Sequence, residues 1–236
     1  MVCGATLRYH EKTMDVACNY CGKPEHGHIT CPNEHYICDI CHNLDGMHIT
    51  KNIIHSTEST NPFTIAELIM SFPGLPMLGC QHAFIAAGSL MAALKNESTL
   101  TITNNDIQEV FNRTEKQAQG GYCGLTGVCG IVPAIGACFA LLTGSKCGTD
   151  EEQRTTMAVV AEVTGAILEL TGPSCCKAYV RAALRVATAA TGEIFNIALT
   201  QENDITCKHS ANHPHGCRRE RCPYFSDTSA ATIQIA

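Results

Sequence analysis

Two C-x2-C pairs, Cys18–Cys21 and Cys38–Cys41, lie near the start of the chain with sixteen residues between them. Two residues between paired cysteines let both sulfurs of a tight turn face one ion. Two such turns complete a tetrahedron of thiolates around Zn2+, with zinc–sulfur distances of about 2.3 Å. A saturated tetrahedron leaves no open position for catalysis, so the role expected of this module is to staple the chain and dock a protein partner.

Cys31 and His35 fall between the pairs and extend the pattern to C-x2-C-x9-C-x3-H-x2-C-x2-C, which resembles the first six ligands of a RING finger. A RING needs one more C-x2-C for its second zinc, and after Cys41 the next cysteine is Cys80. Cys31 and His35 are candidate ligands whose simpler role is packing around a single zinc.

The remaining cysteines call for a second kind of chemistry. Gly120 to Gly130 places Cys123 and Cys129 in a backbone with little side-chain obstruction, able to approach a bulky ligand and to offer amides to anionic sulfides. The loop lacks the Gly-Lys-Ser/Thr ending of a phosphate-binding loop. Pro173-Ser174-Cys175-Cys176-Lys177 sits at an expected helix N-terminus, where free amides and the helix dipole favour a thiolate and where Lys177 adds positive charge. Cys175, Cys176 and Lys177 are therefore the candidate catalytic residues. Cys207, Cys217 and Cys222-Pro223 lie in an irregular basic segment; cysteine followed by proline recurs at ferredoxin clusters, although this spacing differs from theirs.

With Cys80 added, eight thiols suffice for two four-iron clusters, or for one cluster with redox-active thiols beside it. Cys80, Cys123, Cys129, Cys207, Cys217 and Cys222 are the expected ligands of an iron–sulfur cluster, of the 4Fe-4S type. Cys138 and Cys147 read as structural or incidental.

Sixteen cysteines must be accounted for by disulfides or metals. The first ten residues show no basic stretch followed by an apolar run, so a reducing cytoplasm and metal thiolates are expected. A net charge of -6 gives no strong nucleic-acid signal. No Ser-His-Asp, paired-carboxylate or dinucleotide motif stands out. The stretch from Leu125 to Thr143 is apolar enough to raise a membrane span, but Gly127, Cys129, Gly130, Pro133, Gly136 and Cys138 interrupt it, and a cofactor loop feeding a buried helix fits better.

The elements that must hold these thiols are mainly α. A zinc-ribbon/RING-like metal module over 1–48 precedes a linker over 49–61, a bundle-like helical domain over 62–225 and a flexible tail over 226–236. Asn61-Pro62 opens one helix. Cys80 to Lys95 is apolar on nearly all sides and should be buried, whereas Asn104 to Gln119 is amphipathic. Ile131 to Leu142 reads as a buried helix. Thr149 with Glu152 suggests a capping box for the next, and Ser174 a cap for the last.

The zinc-ribbon start, the GGYCG-x5-G loop at Gly120, the GP-x-CCK step at Gly172 and the C-x4-CP-x-F ending at Cys217 together resemble an uncharacterised family of cysteine-rich proteins from anaerobic archaea and bacteria. The resemblance runs to about Phe225 and implies metal binding without a reaction. The function expected is an iron–sulfur metalloprotein acting as a redox or sulfur-handling enzyme, or a component of one. The alternative is a redox- or metal-responsive interaction protein or cluster carrier.

Overall fold

The computed structural model describes residues 6–18, 23–72, 74–170, 172–202 and 204–226, with backbone only for residues 40–45. Two strands open it, β1 (Arg8–Ala17) and β2 (Pro24–Thr30), paired antiparallel from Arg8 opposite Thr30 to Ala17 opposite Pro24, with a register shift between Tyr9 and Met14. The ring of Tyr36 closes over Gly27, where an added Cβ would meet it at 2.8 Å, and its hydroxyl donates to Glu25 at 2.8 Å. Burial and the Glu25 carboxylate both push the Tyr36 phenol well above its ordinary pKa.

Eight α-helices follow among the described residues: α1 (Asp39–Ser56), α2 (Pro62–Met70), α3 (Gln81–Glu97), α4 (Asn104–Glu115), α5 (Tyr122–Thr126), α6 (Ile131–Thr143), α7 (Glu151–Leu168) and α8 (Cys176–Phe195). The last described stretch is irregular apart from two single 3-10 turns, Ser210–Asn212 and Arg219–Arg221.

α3 is the axis of the bundle, with α1, α2, α4, α6 and α8 packed around it and α7 laid outside on α6 and α8. The sequence reason is visible in α3 itself, where Ile85, Ala86, Ala87, Leu90, Met91 and Leu94 are all buried and apolar residues face every direction. Gly88 lets α1 come close: a Cβ there would lie 2.2 Å from Ile54 Cδ1 and 2.9 Å from the Phe111 ring. α4 is amphipathic as expected and buries Ile107, Val110 and Phe111. No described helix is long and apolar enough to cross a membrane.

Several boundaries differ from expectation. The linker over 49–61 is helical as far as Ser56, because Ile54 is buried against Gly88 and draws α1 into the core. Thr149 does not cap α7. Its hydroxyl closes a turn on the Lys146 carbonyl at 2.8 Å, and Asp150 precedes the helix without a side-chain bond. Ser174 does not cap α8 either, since Cys175 occupies the N-cap position and makes no side-chain cap bond. Asn61 does cap α2, accepting from the Phe63 and Thr64 amides at 2.9 and 3.3 Å, with Pro62 in the first turn.

Among the described residues, no metal module is shown over 1–48. The described part is the hairpin and the backbone that leads into α1; Cys21 and the side chain of Cys41 lie outside the described residues, as does the tail from residue 227.

Candidate metal centre

The thiols of the helical domain fall on two sides of one peptide step. Cys175 is the N-cap of α8 in an extended conformation, with φ -131° and ψ 102°, and Cys176 is the first helical residue. That change of backbone turns the two side chains apart. The expected cluster ligands fall on both sides, Cys80, Cys123 and Cys129 on one and Cys207, Cys217 and Cys222 on the other.

On the first side, Cys175, Cys207, Cys217 and Cys222 line one cavity together with Arg181 and Arg218. The chain brings them there by folding its last segment back on α8. The Cys207 amide donates to the Tyr224 carbonyl at 2.7 Å, which sets Cys207 beside Cys222, and the 3-10 turn after Cys217 is closed by the Cys222 amide on the Arg219 carbonyl at 2.7 Å. Cys175, Ala178 and Tyr224 pack as a small apolar cluster with Cys207 and Cys222 against it. Backbone amides already point at the sulfurs: His209 N–H donates to Cys207 Sγ and Arg219 N–H to Cys217 Sγ, each at 3.4 Å.

The positive charges of this cavity are built in. Arg181 is buried on α8, holds Glu67 of α2 through two bonds of 2.6 and 2.8 Å, lies 5.2 Å from the centre of the Tyr224 ring and donates to Cys207. Arg218 donates through Nη2 to the Pro173 carbonyl, and its buried Nη1 has no partner among the described residues. An arginine nitrogen buried without an acceptor is costly unless an anion completes it. Sequence reasoning missed Arg181. Its signal was a charged residue four positions after Lys177, set among Ala178, Val180, Ala182, Ala183 and Leu184.

On the second side are Cys80, Cys123, Cys129 and Cys176. Cys80 is the N-cap of α3, and Cys129 stands one residue before Gly130, the N-cap of α6. Cys176 Sγ accepts from the Gly79 amide at 3.5 Å, which joins the start of α8 to that of α3. A Cβ on Gly130 would meet Ala83 at 3.9 Å, which joins α6 to the same turn of α3. Cys123 is exposed on α5, between Gly121 and Gly127 at φ 77° and 76°. The Asp39 carboxylate accepts from the Gly120 amide at 3.2 Å and acts on Cys80 together with Cys123 and Cys129.

The expected easy ionisation of Cys175 or Cys176 is not what burial gives. Both thiols are raised above the usual cysteine range, Cys176 strongly, because desolvation outweighs the amide donors at the helix start. Cys80 is pushed up to about 12 and Cys129 to about 11 for the same first cause. Lys177 is also buried. Its ammonium donates to the Met70 carbonyl at the end of α2 at 2.7 Å, and burial lowers its pKa to about 8. The side chain thus joins α8 to α2.

In the N-terminal part, the Cys38 amide donates to Cys18 Sγ at 3.3 Å and both residues are buried. Cys31 Sγ lies 3.4 Å from His35 Nδ1. Among the described residues, no three His, Cys, Asp or Glu side chains converge tightly enough to hold a metal ion. Cys138 is buried mid-helix, its thiol on the Ala134 and Ala87 carbonyls at 3.4 and 3.7 Å, and Cys147 is exposed in a turn.

No curated protein and no solved structure matches the chain. Residues 50–225 match a family model described as a family of unknown function, DUF5714, and the chain belongs to that family.

Proposed function

We propose that this protein is an iron–sulfur metalloprotein serving a redox or sulfur-handling reaction, whose candidate cluster ligands, Cys175, Cys207, Cys217 and Cys222, line one cavity without converging to metal-binding distance. The observation that carries the reading is one cavity lined by four cysteines from three separate parts of the chain and faced by two buried arginines. Four thiolates around such a cluster carry net negative charge, and that charge needs donors and cations inside the protein. The orphaned Nη1 of Arg218 and the sulfur-directed amides of His209 and Arg219 supply them. When bound, the cluster supplies one-electron chemistry. The chain's own part is to hold it, screen it from water behind Met77 and Phe225 and set its potential through Arg181 and Arg218.

In the same reading, Cys18, Cys21, Cys38 and Cys41 hold a structural zinc, and the module docks a protein partner. The meeting of Cys18 with Cys38 supports it. Purification without oxygen tests the main reading. A brown protein whose iron and sulfide fall when Cys207 or Cys222 is changed to Ser is the expected result. A colourless protein that binds only zinc after exposure to ferrous iron and sulfide rejects it.

A further inference from the structure

The two arginines at the thiol cavity are both buried, and their charges are answered differently. Arg181 gives two bonds to the Glu67 carboxylate, so its charge is balanced inside the fold. Arg218 has no such partner among the described residues. Its Nη2 donates to the Pro173 carbonyl, its guanidinium carbon stands 6.0 Å from the centre of the Tyr179 ring, and its buried Nη1 meets no acceptor. No Asp or Glu is among the residues that line the cavity. A positive charge on a side chain only 5% exposed thus lacks a counter-charge among the described residues.

The chain keeps Arg218 there. The turn at Gly172 has φ 93°, and a Cβ on it would lie 3.3 Å from Arg218 Cβ and 3.7 Å from its Nε, so the arginine lies along that turn. His213 brings no charge of its own: its Nε2 donates to the Ser174 carbonyl at 3.1 Å, its Nδ1 accepts from the His215 amide at 3.2 Å, and burial lowers its pKa. The other walls are Met77, Phe225, Ser210 and thiols. Sulfur and apolar walls are poor hosts for a doubly charged, strongly hydrated ion. A singly charged, weakly hydrated anion suits them and the guanidinium alike. From Cys207 to Cys222 the chain carries Lys208, Arg218, Arg219 and Arg221 against Glu220 alone, in a protein of net charge -6, so the local field draws anions to this segment.

We infer that this cavity binds a small monovalent sulfur anion, hydrosulfide, between Arg218 and the thiols, as the sulfur species that the protein handles. The inference rests on the sulfur-handling side of the function proposed above and needs no metal in the cavity. Arg218 Nη1 and the Ser210 hydroxyl donate to the anion. The Cys175 thiol, raised by burial, stays protonated and adds a weak S–H donor. Hydrosulfide carries one charge to match one unanswered guanidinium, and its own hydrogen finds an acceptor in a neighbouring sulfur. Sulfate brings two charges against that one cation, and chloride brings no hydrogen. No bond forms or breaks in this step; the anion is desolvated and held beside four cysteines.

The test uses the full chain, purified without oxygen, kept reduced and treated with a chelator so that no sulfide is retained through a metal. Sodium hydrosulfide is titrated into it calorimetrically in mildly alkaline buffer, with sodium chloride and sodium sulfate as comparison anions. Wild type should bind about one hydrosulfide per chain. Arg218→Gln should bind at least about tenfold more weakly, the loss expected for one charge-assisted bond. Arg219→Gln changes an exposed neighbour and should bind like wild type. Heat unfolding shows whether Arg218→Gln keeps its fold. If it does not, Ser210→Ala replaces it, with an expected loss of about fivefold.

If the chain takes up iron from ferrous iron and sulfide while its metal-free form binds no hydrosulfide, the anion site is refuted and the iron–sulfur reading stands. If the metal-free chain binds hydrosulfide as expected and no iron is taken up, the iron–sulfur reading fails and the anion site stands. Equal affinity for chloride or sulfate, an equal loss in Arg219→Gln, or undiminished binding by a folded Arg218→Gln overturns the inference.

Discussion

Arg181 and Glu67 meet as a two-pronged ion pair, Nε to Oε1 at 2.6 Å and Nη2 to Oε2 at 2.8 Å, with the arginine side chain 2% exposed and the carboxylate 31%. The pair ties α8 to α2, and the same guanidinium reaches Cys207 and Tyr224, so one side chain fixes two helices and the returning chain end. Removing the carboxylate strands a buried cation. Glu67→Gln should therefore cost about 3 kcal/mol in chemical denaturation, at the low end for a broken buried pair because Glu67 is partly solvated. A loss below about 1 kcal/mol would rank it with ordinary surface pairs.

Thr103 and Asp106 form the reciprocal cap of α4. The Asp106 carboxylate accepts from the Thr103 hydroxyl and amide, each at 2.7 Å, and the Thr103 hydroxyl accepts from the Asp106 amide at 3.3 Å. Thr103→Ala should lower stability by about 1 kcal/mol. The hydroxyl bond first, then the amide, holds the Asp106 carboxyl below its ordinary 3.8. A depressed carboxylate contributes stability above its unfolded pKa and loses it as pH falls through the folded value. The stability gap between wild type and Asp106→Ala should therefore be full at neutral pH and close below 3.8. A gap unchanged down to about pH 2 would place the effect elsewhere than in ionisation.

That cap was not foreseen in the sequence, although Thr-x-x-Asp is written there, whereas the similar Thr149-x-x-Glu152 pattern was read as a cap and forms a turn. The two differ in what precedes the helix: Lys146 captures the Thr149 hydroxyl before the helix can use it. Helices with a strong apolar pattern, such as α3 and α6, were legible almost to their ends. α1 was not, because its Asp, His, Asn and Lys residues hide the few positions, Ile54 above all, that bury it. At the site, the eight thiols could be read from the sequence. Their sorting into two groups could not, since it depends on the last segment folding back through the Cys207–Tyr224 bond. Helix-end electrostatics also misled, because burial of Cys176 acts on the thiol more strongly than the free amides do.

Changing Cys38 to Ser should remove about one zinc per chain and leave the heat-unfolding step of the helical domain in place. Cys38 is buried and its amide reaches Cys18, so the hairpin end should loosen, while the core around α3 keeps its contacts. Zinc analysis beside calorimetry separates the outcomes. Full zinc in the variant would reject the four-cysteine assignment, and loss of both unfolding steps would mean that the module is part of the core.

Cys123 and Cys147 make a paired test, since both are exposed and neither is packed in the core. Exposure alone predicts that an alkylating reagent labels them at comparable rates. Membership of a ligand set predicts otherwise: Cys123 acts electrostatically on Cys80 and Cys176, whereas Cys147 stands in the turn before α7. In reduced protein freed of metal, both should label quickly at neutral pH. Cys80, Cys129 and Cys176 should label slowly, because burial raises their pKa and leaves little thiolate. After loading with ferrous iron and sulfide, labelling of Cys123 should fall at least about tenfold while Cys147 is unchanged, since a sulfur bound to iron is a weaker and less accessible nucleophile. Mass spectrometry of the labelled peptides reads each site separately. Equal rates at Cys123 and Cys147 in the loaded protein would mean that α5 carries a spectator thiol.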